Sequence, residues 1–159
     1  SPKEEAELSM IVDLIRNDLS HHCEYGSVRV PEHRNVFEVD GLLQMVSEVT
    51  GVLREDSTVM DLFWDAFPGG SITGTPKQSA MEAIAQLESH SRGPYCGSLF
   101  LYHGPRDLDA NILIRTGLLL PGQSRFRFYA GSGIVIESDA DAEYAETVSK
   151  VAKFSRHLP

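Results

Sequence analysis

The order in which the chain switches periodicity limits its fold more than any other feature. Strand-like runs come in groups, and only a few helical patterns separate them. A helical pattern over about residues 2–18 opens the chain. Strand-like runs follow at about 27–30, 35–39 and 42–53, the last with β-branched alternation in MVSEVTGV. A helix is predicted over 58–67, with Val59, Leu62, Phe63, Ala66 and Phe67 on one apolar face. Another is predicted over 76–87, with Thr75 as its cap. Residues 95–103, 110–120 and 125–137 read as three further strands, with turns at Gly104-Pro105 and Pro121-Gly122. A last helix spans about 139–157. This order predicts an α+β fold, a mainly antiparallel sheet with flanking helices.

At 159 residues the chain is long enough for one domain with a core. The net charge is −9 and no basic patch is visible, which argues against nucleic acid as a partner. A local pocket for an anionic small molecule remains compatible with that charge. No apolar run has the length of a membrane span; the best candidate, residues 112–120, carries Arg115. Cys23 and Cys96 form no CxxC pattern, and with no signal peptide in view the expected setting is a reducing cytoplasm. Ser1-Pro2-Lys3-Glu4 reads as N-cap, first-turn proline and capping-box acid. A chain that opens directly on a helix signal is expected to be part of a longer one.

The first helix breaks the amphipathic rule. Ile11, Leu14 and Ile15 form its apolar stripe, and Glu4 and Glu7 fall within that stripe, one turn apart. Either the helix end protrudes into water, or something positive meets the two acids. On the last helix Glu143, Glu146 and Lys150 share a band beside Tyr144, Val148, Val151 and Phe154. That band reads as a solvated face with a Glu-to-Lys pair, or as the second half of an oxygen-ligand set. Two Glu-x-x-Glu pairs with retained waters suit magnesium, although that spacing is common by chance.

The stretch FPGGSITGTPK, residues 67–77, packs glycines and the hydroxyls of Ser71, Thr73 and Thr75 ahead of a helix start. It suits a carboxylate or phosphate, and equally a capped helix after a mobile loop; its glycine-to-lysine spacing is not that of a P-loop. AGSGIVIES, residues 130–138, carries Gly131 and Gly133 but lacks the third glycine and helix of a dinucleotide fingerprint. Glycines in a strand mark a bulge or a close ligand. Arg115 interrupts the apolar run ILIRTGLLL; facing inward it needs a carboxylate, facing outward it is an edge residue. Tyr95 in RGPYCGS is either a core residue or a ligand contact.

Taken in order, PKEEAELSMIVDLIRNDL, MVSEVTG, FPGGSITGTPK, RGPYCGS, ILIRT and AGSGIVIESDADAEYAETVSK cover nearly the whole chain. Together they resemble the chorismate-binding enzymes, in particular the large subunit, component I, of aminodeoxychorismate synthase. The resemblance implies a partial anthranilate/aminodeoxychorismate synthase-like fold. Residues 1–159 would be the C-terminal part of a chorismate-binding domain whose N-terminal part lies upstream. It implies Mg2+ held by Glu4, Glu7, Glu143 and Glu146. It implies chorismate carboxylates held by Tyr95, Arg115, Lys150 and the amides of Gly131 and Gly133, with Ser71 nearby. The implied reaction joins chorismate and ammonia to give 4-amino-4-deoxychorismate for 4-aminobenzoate and folate, with ammonia from a glutamine amidotransferase subunit. Alternatives are anthranilate synthase component I and a non-catalytic chorismate-binding fragment. The family's upstream lysine and glutamate are not in this sequence, so no catalytic residue is assigned here and the isolated chain is expected to be inactive. It is also expected to self-associate or to be marginally stable. One departure stands out: Gln44-Met45-Val46-Ser47 occupies the place where the family usually has His-Leu-Val-Ser. Gln44 can hydrogen-bond but cannot take up a proton as an imidazole does.

Overall fold

A computed structural model describes the backbone of residues 2–39 and 42–155, and the side chains of 5–38 and 43–152. The predicted Ser1 cap and the side chain of Glu4 lie outside the described residues. The chain divides into two compact units: Ser1–Ser89 with Phe100–Ala110, and His90–Leu99 with Asn111–Pro159.

The first unit is built on α1 (Pro2–Ser20), which packs against β2 (Leu42–Thr50), α2 (Val59–Ala66) and the short α3 (Gly70–Thr73). Because neighbours flank the helix on several sides, burial is not confined to the predicted stripe. Val12 is its buried position, while Ile15 remains 41% exposed. β2 pairs antiparallel with β1 (Arg29–Val39), Val36 opposite Met45 and Phe37 opposite Gln44. Along β2, Met45, Ser47 and Val49 are partly covered while Val46, Glu48 and Thr50 face solvent, the alternation that the sequence carries. The two short strands expected over 27–39 are one strand with bulges. At one bulge Arg34 takes φ +58, and its guanidinium reaches Glu5 at 3.1 Å and Ser9 at 2.7 Å on α1.

α2 opens with a capping box: Asp61 N donates to Thr58 Oγ1, and Thr58 N donates back to Asp61 Oδ2 at 2.8 Å. Phe63 packs against Trp64, Phe67 and Phe100. His22, just past α1, lies 2.6 Å from Asp65 on α2. Arg106 donates to the carbonyls of Leu53 and Arg54. α4 (Lys77–Leu87) begins one residue later than expected, with Pro76 rather than Thr75 at its N-cap and no side-chain cap.

The strand expected over 95–103 is β3 (Ser98–Gly104), hairpin partner of β4 (Asp107–Ile112). In the second unit Cys96 N and Leu113 O, then Leu113 N and Gly97 O, extend that pairing. The run predicted as a strand over 110–120 breaks at Arg115, a bend with φ +51, before β5 (Gly117–Leu118). β5 pairs antiparallel with β6 (Arg127–Phe128), all that is regular in the strand predicted over 125–137. A Cβ at Gly117 would run into the Phe126 ring, so any larger residue there requires that ring to move. α5 (Ala140–Ser155) starts at Asp139, whose Oδ1 accepts from Ala142 N at 2.9 Å. The mixture of helices and antiparallel strands is the predicted α+β class.

Candidate functional site

Five of the predicted ligand-contacting residues lie in the second unit, and three of them meet. Lys150 Nζ, on α5, donates to the carbonyl of Gly131 at 3.1 Å. A Cβ at Gly131 would stand 3.1 Å from Tyr95 Oη, so the missing side chain is what lets the phenol lie over this backbone. Tyr95 is held by a stack on Tyr129, ring centroids 5.6 Å apart, and the Arg92 guanidinium lies over the Tyr95 ring, 5.9 Å from its centroid. An ammonium, a phenol and an irregular glycine segment thus share one place, a donor-rich setting for an anion. Gly133 lies two positions further along the same irregular segment. Arg115 sits on its exposed bend, and among the described residues its guanidinium makes no ion pair or hydrogen bond. It is neither the inward strand residue nor the edge residue that the sequence suggested, because the strand stops before it.

The acid pairs follow their helices. Glu143 is 7% exposed, and Ser138 donates to its Oε1 at 2.6 Å while accepting from Val135 N at 3.0 Å. That relay fixes the carboxylate at the helix start, and its Oε2 is buried. Glu146, one turn on, is half-exposed and pairs with Lys150 at 2.7 Å. On α1 in the first unit, Glu7 is partly buried, with its Oε1 closed off from solvent. Among the described residues no group of three or more His, Cys, Asp or Glu side chains is placed to hold a metal ion. The donor chemistry nevertheless fits magnesium, which takes hard oxygens and commonly only one or two carboxylates beside water and an anionic ligand.

Ser71 lies exposed on α3, a single helical turn inside the glycine loop of the first unit. The loop is anchored, since a Cβ at Gly70 would stand 3.0 Å from Leu14 Cδ1 on α1. An open cavity of about 540 Å³ lies between Phe67-Pro68 and the α4 residues Lys77, Gln78, Met81 and Glu82. Its lining includes Phe67, Pro68 and Lys77 from the two ends of the glycine loop, but none of the predicted substrate or metal ligands. Gln44 sits half-covered on β2. Burial pushes the Cys23 thiol up, the nearby Arg54 offsetting only part of this, which makes it a poor nucleophile.

A family profile described as chorismate binding enzyme matches residues 1–156. The chain belongs to the chorismate-binding enzymes. Within this family it is 45% identical over 158 residues to aminodeoxychorismate synthase component 1 of Klebsiella aerogenes, covering 99% of this chain and 35% of that protein. It is 42% identical over 148 residues to anthranilate synthase component 1 1 of Haloarcula marismortui, covering 93% of this chain and 30% of that one. Among solved structures it superposes on anthranilate synthase component I from Streptococcus pneumoniae TIGR4 with a TM-score of 0.81 and 35% identity, covering 94% of this chain and 34% of that one. The chain therefore spans about a third of the length of these chorismate-binding relatives.

Two contributors escaped the sequence reading. Ser138 closes the stretch AGSGIVIES and receives no role from the sequence, though a serine two residues ahead of a helix is a usual place to look for a polar anchor. Lys77 enters the sequence only as the lysine of a spacing that excludes a P-loop, and its partners are distant in sequence.

Proposed function

We propose that this chain is the chorismate-binding portion of an aminodeoxychorismate synthase component 1. The observation that carries the reading is the meeting of Tyr95, Gly131 and Lys150 in the second unit. Lys150 supplies a point charge for a substrate carboxylate, and Arg115 a planar fork for a bidentate grip. The amides of Gly131 and Gly133, the Tyr95 hydroxyl and Ser71 add neutral donors. Glu4, Glu7, Glu143 and Glu146 are the carboxylates that would hold magnesium, with Glu143 kept in one rotamer by Ser138. Magnesium would act as Lewis acid and template for the departing 4-hydroxyl. Ammonia replaces that hydroxyl and water leaves, giving 4-amino-4-deoxychorismate for 4-aminobenzoate and folate synthesis; a glutamine amidotransferase subunit supplies the ammonia. The PGGSITG form of the loop favours this reaction.

The anthranilate synthase alternative draws support from the comparable identity to the Haloarcula marismortui protein. It adds ammonia at a different carbon and releases pyruvate. Product analysis decides between them: the full-length protein, incubated with chorismate, ammonia and Mg2+, should form aminodeoxychorismate without pyruvate. Anthranilate with stoichiometric pyruvate would overturn the assignment.

A further inference from the structure

Lys77 stands outside every role assigned so far, yet its ammonium joins three elements of the first unit. It donates to Ala66 O at 2.9 Å, with longer contacts to Asp65 O at 3.5 Å and to Asp18 Oδ1 at 3.4 Å. The site is well covered, the side chains of Lys77 and Asp18 being 26% and 16% exposed. Helix α2 ends at Ala66 with no basic residue in its last turn. Its last carbonyls need donors, and its C-terminal dipole favours a cation. Lys77 meets both needs from the far end of the glycine loop, so the loop's two ends are fastened to each other through one ammonium.

The same ammonium fastens the loop to α1. Glu7, Ile11, Leu14 and Asp18 recur at four- and three-residue steps and therefore line one stripe of that helix. Gly70, next to Ser71, is seated directly on Leu14. Lys77 is tied to Asp18 one turn further along. The loop is thus pinned at two points to the stripe that carries Glu7.

The geometry points to Lys77 as a positioning residue that holds Ser71 and its loop in register with the Glu7-bearing face of α1. This rests on the reading of the loop as a wall of the chorismate site. In the full-length protein, Lys77→Met should raise the KM for chorismate by at least roughly tenfold, the equivalent of one lost charge-assisted hydrogen bond. Lys77→Arg, which keeps charge and donors, should recover most of that loss. Asp18→Asn, which removes one of the three contacts of Lys77, should raise KM less, and the double variant should be no worse than Lys77→Met alone because Asp18 acts through Lys77. A purely structural role would lower Tm and the active fraction and leave KM alone. Ser71→Ala separates the two levels of the claim. If it raises KM while Lys77→Met leaves KM within twofold of the parent, the positioning role is overturned and the loop assignment stands. If Ser71→Ala leaves KM unchanged, the loop assignment falls and the inference falls with it. Fully additive effects of Lys77→Met and Asp18→Asn also overturn it.

Discussion

At the scale of single residues, Arg115 carries the sharpest expectation. It is exposed on a left-handed bend, so its fork is presented rather than used inside the unit. Arg115→Lys keeps the charge but loses the planar pair of donors. In the full-length protein it should weaken chorismate binding by roughly tenfold with little change in Tm, as calorimetric titration and thermal melting would show. An unaltered dissociation constant would remove Arg115 from the site. This residue also marks where the sequence was least legible. ILIRTGLLL reads as one strand from its apolar flanks, and the Arg115-Thr116-Gly117 step inside it does not by itself tell a polar strand residue from a turn of the backbone. Arginine has no turn preference of its own, so the bend is imposed by the surrounding packing. Tyr95 over Gly131 is the opposite case. Both were marked by residue type, and only their meeting needed three dimensions.

At the scale of elements, the helices with clear periodicity were read almost to the residue, and so was the alternating half of β2. What the sequence hid was short or remote. The four-residue α3 is below the length at which a period can be seen, and Lys77 is held by partners that the chain brings back from α1 and α2. The Thr58 capping box is local and testable. Thr58→Ala should cost about 1 kcal/mol of stability in chemical denaturation. It should also change the acid dependence. The Thr58 side-chain and backbone hydrogen bonds hold the Asp61 carboxyl below its usual range. A carboxyl whose pKa is depressed on folding contributes stability above its unfolded pKa and loses it as pH falls through the folded value. The parent should therefore lose stability below the ordinary carboxylate range more steeply than Thr58→Ala does; parallel pH profiles would contradict the box. On the glycine segment, Gly131→Ala places a methyl 3.1 Å from Tyr95 Oη. The phenol must give by a few tenths of an ångström, and chorismate binding should weaken several-fold, by roughly 1 kcal/mol, while the fold survives. A binding constant equal to the parent's would show that the phenol's place over this backbone is immaterial.

At the scale of the whole molecule, the described residues bury few apolar side chains: Val12, Cys23 and Cys96, with none of the large ones fully buried. Leu43, Leu99, Leu101, Ile134 and Ile136 are all mostly exposed. Among the described residues the strands form two-stranded sheets, which are marginal in water without cover. The isolated 159-residue chain should therefore self-associate or melt broadly at low temperature. A monomer in sedimentation with a sharp unfolding transition would contradict this. The same chain, spanning about a third of its relatives, should give no turnover with chorismate, ammonia and Mg2+. The central claim is that the ammonium, phenol and glycine backbone gathered in the second unit hold a carboxylate of chorismate. The most direct measurement is the dissociation constant for chorismate of the full-length protein and its Lys150→Met variant, taken by calorimetric titration with Mg2+ present. The account predicts a weakening of at least roughly tenfold with the fold intact. Equal affinity in parent and variant would contradict it.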